Sequence, residues 1–114
     1  MDIRVERVGT VIVVSLNGTM DLASAPSLRA ELEQRLTHAS PKVVIDLSGV
    51  DYIDSYGLGV LVVAMKRARQ AAGELRLCAP RPEVRNILDV TGLSGRIPVL
   101  PSRRDALVSW GPST

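Results

Sequence analysis

An α/β fold, a mixed and mostly parallel sheet of about five strands with about four helices in the order ββαβαβαβα, is what the sequence predicts. Three observations predict it. Runs rich in β-branched residues alternate with stretches whose apolar residues recur every three or four positions. The first two such runs are separated only by Gly9-Thr10, a hairpin signal that makes one strand pair antiparallel. From there strand and helix take turns, which requires crossover connections and therefore parallel strands.

Each element has its own warrant. "IRVERV" and "VIVVSLNG" form the hairpin. "SAPSLRAELEQRL" is an amphipathic helix: Leu28, Leu32 and Leu36 make one stripe, Arg29, Glu31, Glu33 and Arg35 lie off it, and Pro26 suits a first turn opened by Ser24 or Ala25. "KVVIDL" is a short apolar strand, followed by a polar segment from Ser48 to Asp54. The stretch from Gly57 to Ala72 is long enough for a helix and is stopped by Gly73. Its first half has no polar face, whereas Lys66, Arg67, Arg69 and Gln70 charge its second half, so a buried start and a wet end are expected. "ELRLCA" is an alternating strand and "PEVRNILDVTG" a helix opened by Pro82 and closed by Gly92. "RIPVL" is a short strand, and "SRRDALVSW" a last helix capped by Ser102. Residues 1–110 are expected to form one domain, with a disordered tail at 111–114.

Composition narrows the function classes. The chain of 114 residues is 46% hydrophobic and 23% charged, an ordinary globular balance. Its longest apolar run, Val60 to Met65, falls far short of the roughly 18 residues a membrane span needs, and no signal-peptide pattern opens it. A cytoplasmic protein with no membrane role is expected, and its length makes a monomer the default. Residues 1–80 hold nine Lys or Arg and nine Asp or Glu, so the net charge of +2 resides in residues 81–114. The arginines there, Arg81, Arg85, Arg96, Arg103 and Arg104, are dispersed among acids and prolines, which reads as a solvated face and not as a nucleic-acid site. The single cysteine, Cys78, lies in an apolar stretch and reads as a buried thiol. His38, the one histidine, falls near the solvated end of the first helix, and no Cys or His spacing suggests a metal. No cofactor is expected. Asp21, Asp46, Asp51 and Asp54 could be gathered into an acid cluster, but the rest of a catalytic apparatus is missing, so the chain is not read as an enzyme.

The informative place is "DSYGLG", Asp54 to Gly59, after a strand and before the longest helix, where sheets of this kind carry their functional loops. Two readings of Ser55 stand. Its hydroxyl can cap the helix by accepting an early backbone N–H, or it can carry an anionic group where the helix dipole favours one. Gly57 and Gly59 likewise have two readings, close approach by a partner or tight packing of the helix on the sheet. Asp21 and Asp54 are turn or cap residues, or functional ones. Tyr56 either faces a partner or packs down on the sheet.

"DLSGVDYIDSYGLGVL" resembles the signature of bacterial anti-sigma factor antagonists of the STAS domain family, Asp-Ser-(Ser/Thr)-Gly-Leu-Gly after a strand such as "VVIDL". "LNGTMDLASAPSLRAEL" is similar to the family's Gly-(Glu/Asp)-x-Asp segment and first helix, and "ILDVTGL" to its late helix end. The resemblance implies that Ser55 is phosphorylated by an anti-sigma factor that is also an ATP-dependent serine kinase of the histidine-kinase-like ATPase fold. It implies that the unphosphorylated antagonist binds this kinase and frees the sigma factor, that phosphorylation abolishes binding, and that a PP2C-type phosphatase restores it. Carried over, the partner-binding residues are Thr19, Asp21, Asp54, Ser55, Tyr56, Gly57 and Leu58. Two positions depart from the family pattern. Tyr56 replaces the second hydroxyl residue, and Thr19 stands where many members have an acidic one, which makes that contact neutral. An alternative within the fold is a scaffold or complex subunit, stressosome-like or in lipid transport, without phosphorylation control.

Overall fold

The computed structural model describes residues 1–110, and the tail expected at 111–114 lies outside the described residues. Strands β1 (Asp2–Val8) and β2 (Val11–Met20) form the antiparallel hairpin around Gly9 and Thr10, with Val8 opposite Val11. Strands β3 (Lys42–Ile53), β4 (Glu74–Cys78) and β5 (Val99–Leu100) extend the sheet in parallel from β2, in the spatial order β1-β2-β3-β4-β5. Helix α1 (Ala25–Arg35) links β2 to β3, α2 (Ser55–Gln70) links β3 to β4, α3 (Pro82–Val90) and a 3-10 turn at Leu93–Gly95 lead to β5, and α4 (Arg103–Val108) follows β5. The predicted element order holds throughout. No helix among the described residues is long and apolar enough to cross a membrane.

The alternation of side chains along the strands divides the interior in two. Val14, Leu16, Val43, Ile45, Leu47, Leu75 and Leu77 point to one face, where Leu28 and Leu32 of α1, Val60 and Leu61 of α2, and Val84 and Leu88 of α3 cover them. Val11, Val13, Val44 and Cys78 point to the other, under Ala106 of α4 and the half-buried Leu107 and Trp110. The three leucines of the α1 stripe are all buried, as their spacing predicts. Burial along α2 differs from the expectation of a buried start and a wet end. Gly57, Val60, Leu61, Ala64, Met65 and Ala68 form one buried face over nearly its whole length, while Ser55 and Tyr56 at its start are exposed. The charged residues of its second half occupy the opposite face, so the helix is amphipathic and not divided end to end.

The larger difference lies in β3. The polar segment after "KVVIDL" is not a loop; the strand continues through Ser48, Gly49, Val50, Asp51 and Tyr52 to Ile53. Its pairing with β2 shifts register twice, between Ser15 and Asn17 and between Gly18 and Thr19, so that Ile12–Met20 faces the longer Val43–Ile53. Each shift is a bulge that adds one residue to β3. The residues that β3 sends to the helix-covered face are therefore Val43, Ile45 and Leu47, then Val50, then Ile53, a spacing of two that becomes three and three. Asp51 has no partner in the register, since Gly18 pairs with Val50 and Thr19 with Tyr52. Two consecutive exposed residues, Asp51 and Tyr52, result, and that broken alternation is what makes the segment read as a loop.

Candidate functional site

Chain direction brings the carboxyl ends of β2 and β3 side by side, and the Asp54 N–H donates to the Met20 carbonyl at 3.0 Å, joining the two strand exits. The residues after those exits, 21–24 and 54–58, form one rim, and every predicted site residue except Thr19, which lies just before it in β2, is on it.

Asp54, and not Ser55, caps α2. Its Oδ1 accepts the backbone N–H of Tyr56 at 2.9 Å and of Gly57 at 3.0 Å, in the extended backbone conformation typical of a helix cap. Ser55 is the first helical residue, and it is exposed. Of the two readings of Ser55, capping therefore belongs to its neighbour. Two of the early N–H groups that would attract an anion, those of Tyr56 and Gly57, are engaged by a carboxylate of the chain itself.

Asp21 and Ser24 hold each other at the start of α1. The Asp21 N–H donates to Ser24 Oγ at 2.9 Å, and the Ser24 N–H donates to Asp21 Oδ1 at 3.0 Å. The Ser24 hydroxyl donates to the Thr19 carbonyl at 2.8 Å, so this turn is tied back to β2. Thr19 in turn donates its hydroxyl to Asp51 Oδ1, on the bulge of β3, at 2.7 Å. A carboxylate on the neighbouring strand thus stands beside the neutral Thr19.

The two glycines separate. A Cβ on Gly57 would lie 2.7 Å from the Met20 carbonyl oxygen and 2.8 Å from Met20 Cβ, so its missing side chain lets α2 settle on the exits of β2 and β3. Gly57 is buried, and the tight-packing reading accounts for it; a partner at this rim would meet its neighbours. A Cβ on Gly59 would have no heavy atom within 4 Å. Gly57→Ala is accordingly expected to destabilise the protein by about 1–3 kcal/mol through overpacking. Gly59→Ala should stabilise it by about 0.5–1 kcal/mol through helix propensity. Urea unfolding of the two variants checks the opposite signs.

Tyr56 does not pack down on the sheet; it is 54% exposed. Tyr52 at 53% and Leu22 at 59% are exposed large apolar residues on the same strand exits, and the sequence reading missed both. Leu58 is half-buried against the main core. The two strand exits thus expose one serine together with Leu22, Tyr52 and Tyr56, large side chains of the kind from which partner contacts are made.

The four aspartates do not form one group. Asp46 points to the other face of the sheet, where its Oδ1 accepts the Ser48 N–H at 2.9 Å and its Oδ2 accepts Arg103 Nη2 at 3.1 Å and Nε at 3.2 Å. Burial would push its carboxyl up, but the bonds from Ser48 and the Arg103 guanidinium outweigh burial and hold it below the ordinary carboxylate value. Cys78 is fully buried near it, and burial, aided by the Asp46 charge, pushes the thiol up to about 12. His38 is exposed after α1.

Residues 2–106 match the STAS domain family. A protein assigned as the anti-sigma factor antagonist BtrV of Bordetella bronchiseptica is 34% identical over 110 residues, covering 96% of this chain and 95% of that protein. The crystal structure of an anti-sigma factor antagonist from Mycobacterium paratuberculosis superposes with a TM-score of 0.87 at 31% identity, over 95% of this chain and 92% of that one. Unphosphorylated SpoIIAA, an anti-sigma factor antagonist, has a TM-score of 0.79 at 19% identity over 96% of each chain, a likeness of fold alone.

Proposed function

This chain belongs to the STAS domain family, and from that membership we propose that it is an anti-sigma factor antagonist switched by phosphorylation of Ser55. The observation that carries the proposal is the division of labour at the start of α2. Asp54 performs the capping, so the neighbouring Ser55 is exposed and its hydroxyl is available for transfer chemistry without loss of the cap. Unphosphorylated, the rim of Asp21, Asp54, Ser55, Tyr56 and Leu58, with Thr19 of β2 just before it, docks on an anti-sigma factor and so releases a sigma factor. The chain acts by binding and catalyses nothing itself.

The kinase is the anti-sigma factor, a protein of the histidine-kinase-like ATPase fold. The γ-phosphoryl group of ATP passes to Ser55 Oγ, the bond to ADP breaks, and the hydroxyl proton leaves to a base of the kinase. A PP2C-type phosphatase hydrolyses the ester and resets the switch. SpoIIAA, which shares this fold, is known in an unphosphorylated and a phosphorylated form, and this supports a modification that the fold tolerates.

The test is intact mass with site mapping after incubation with ATP and each serine-kinase anti-sigma factor of the source organism, with Ser55→Ala as control. One phosphate on Ser55, absent from the variant, is expected. Binding without modification would leave an unswitched antagonist. Absence of both would overturn the proposal in favour of a scaffold.

A further inference from the structure

We infer that Asp51, held in place by Thr19, is the residue through which this rim selects its anti-sigma factor, by pairing with a basic side chain of the partner. The inference rests on the function proposed above and names the chemistry of the contact. Asp51 is the extra residue of the second β3 bulge, and a bulge re-aims the side chain it carries. It is exposed, and Thr19 Oγ1 fixes one carboxylate oxygen at 2.7 Å. Oδ2 takes no part in that bond.

Two further observations point to a basic partner. Residues 17–28 and 43–65, which build both strand exits and the start of α2, contain no Lys or Arg, although the chain has 14 of them and a net charge of +2. The charges that these segments bring to the strand exits, Asp21, Asp51 and Asp54, are all acidic on a chain of opposite overall sign, which favours a partner of complementary charge. The cations nearest them from elsewhere are the Met1 amino end beside Thr19 and Asp21 and Arg81, whose Nε is taken up by the Ser48 carbonyl at 3.0 Å. Both tyrosines of the chain, Tyr52 directly after Asp51 and Tyr56 directly after Ser55, are exposed here together with Leu22. Aromatic contact surface beside a fixed carboxylate suits a partner that presents a Lys or Arg at the edge of an apolar patch.

Thr19 is a positioning residue in this arrangement. Its hydroxyl touches Asp51, and its effect on binding passes through that carboxylate. A charge at the edge of an interface acts mainly on the association rate and on salt dependence. Asp51→Asn is therefore expected to weaken binding by roughly three- to tenfold at low salt and to flatten the dependence of affinity on ionic strength.

The experiment uses the full chain and the kinase that phosphorylates Ser55 in the mass assay, with affinities measured at several salt concentrations. Asp51→Asn should raise KM for Ser55 phosphorylation and leave kcat unchanged, and Asp51→Glu should restore most of the loss. Thr19→Val should weaken binding less than Asp51→Asn and add nothing when combined with it, since its effect passes through the same carboxylate. Melting curves establish that each variant is folded. An Asp51→Asn affinity equal to that of the parent, or a loss with unchanged salt dependence, overturns the inference while Ser55 phosphorylation stands. If the parent chain neither binds nor accepts phosphate from any such kinase, the function proposed above fails, and this inference falls with it.

Discussion

Stoichiometric phosphorylation of Ser55 is expected to lower affinity for the anti-sigma factor by about a hundredfold or more, while the melting temperature of the free protein changes little. Phosphate brings about −1.5 to −2 charges at neutral pH. At the start of α2 it would compete with Asp54 for the N–H groups of Tyr56 and Gly57, which already donate to that carboxylate. Ser55 and Tyr56 are both exposed, so the group adds its charge to the surface directly after Asp54 in the chain. For transfer to occur, the Ser55 hydroxyl must lie in line with the γ-phosphate of the kinase's ATP. After transfer, the phosphoserine meets the phosphates of a fresh nucleotide at the same spot. Like charges brought together at an interface cost several kcal/mol, and about 2.7 kcal/mol corresponds to a hundredfold. Calorimetric titration of the fully modified protein into the nucleotide-bound kinase measures this. A change under fivefold would mean that phosphate does not control the complex. Ser55→Glu should give a smaller loss, because one planar carboxylate has less charge and bulk than a phosphate.

The parts of the fold legible in the sequence are those with a local cause. Gly9-Thr10 between two β-branched runs specifies the hairpin, and the Leu28-Leu32-Leu36 stripe specifies the buried side of α1. Ser102 caps α4 as predicted, accepting the Asp105 N–H at 3.1 Å. The second half of β3 was hidden because its two bulges break the period-two pattern, and a bulge is a property of the pairing with β2 and not of β3 alone. The same bulges hid Asp51 and Tyr52 as surface residues. The position of Ser55 was legible from its motif, but which of two adjacent polar residues caps α2 depends on one residue of phase at the helix start. Gly57 and Gly59 look alike in the sequence. Only the approach of Met20 to one of them separates packing from open surface. The pairing of Asp46 with Arg103 spans 57 positions and leaves no local signal.

Replacing Arg103 with methionine is expected to lower stability by about 1–3 kcal/mol at neutral pH, a sizeable share of the roughly 5–15 kcal/mol that holds a domain folded. Helix α4 has six residues, too few to persist without tertiary contacts. Arg103 latches it to three strands, to Asp46 on β3, to Ser15 on β2 at 2.7 Å and to Glu6 on β1 at 2.5 Å. At the other end, Arg76 of β4 stacks 3.9 Å from the Trp110 ring centroid. Methionine keeps much of the apolar stem but leaves the Asp46 carboxylate, only 10% exposed, without its cation. A fully buried pair broken in this way would cost more, about 3–5 kcal/mol; Arg103 is 38% exposed, so water can partly replace it. The pH dependence fixes the cause. Asp46 is held below its ordinary value in the folded protein, so its contribution is present above the unfolded carboxylate value of about 3.9 and is lost as pH falls through the lower folded value. Once protonated, Asp46 no longer needs Arg103, and the gap between parent and variant should close on acidification. Loosening α4 also uncovers Cys78, whose thiol is otherwise unreactive because it is buried and its pKa is pushed up to about 12. The variant should therefore react with an aromatic disulfide reagent at pH 8 many times faster than the parent. An equal rate, with stability reduced by the same amount at pH 3 and pH 7, would show that Arg103 contributes by packing alone and that α4 is held by its apolar face.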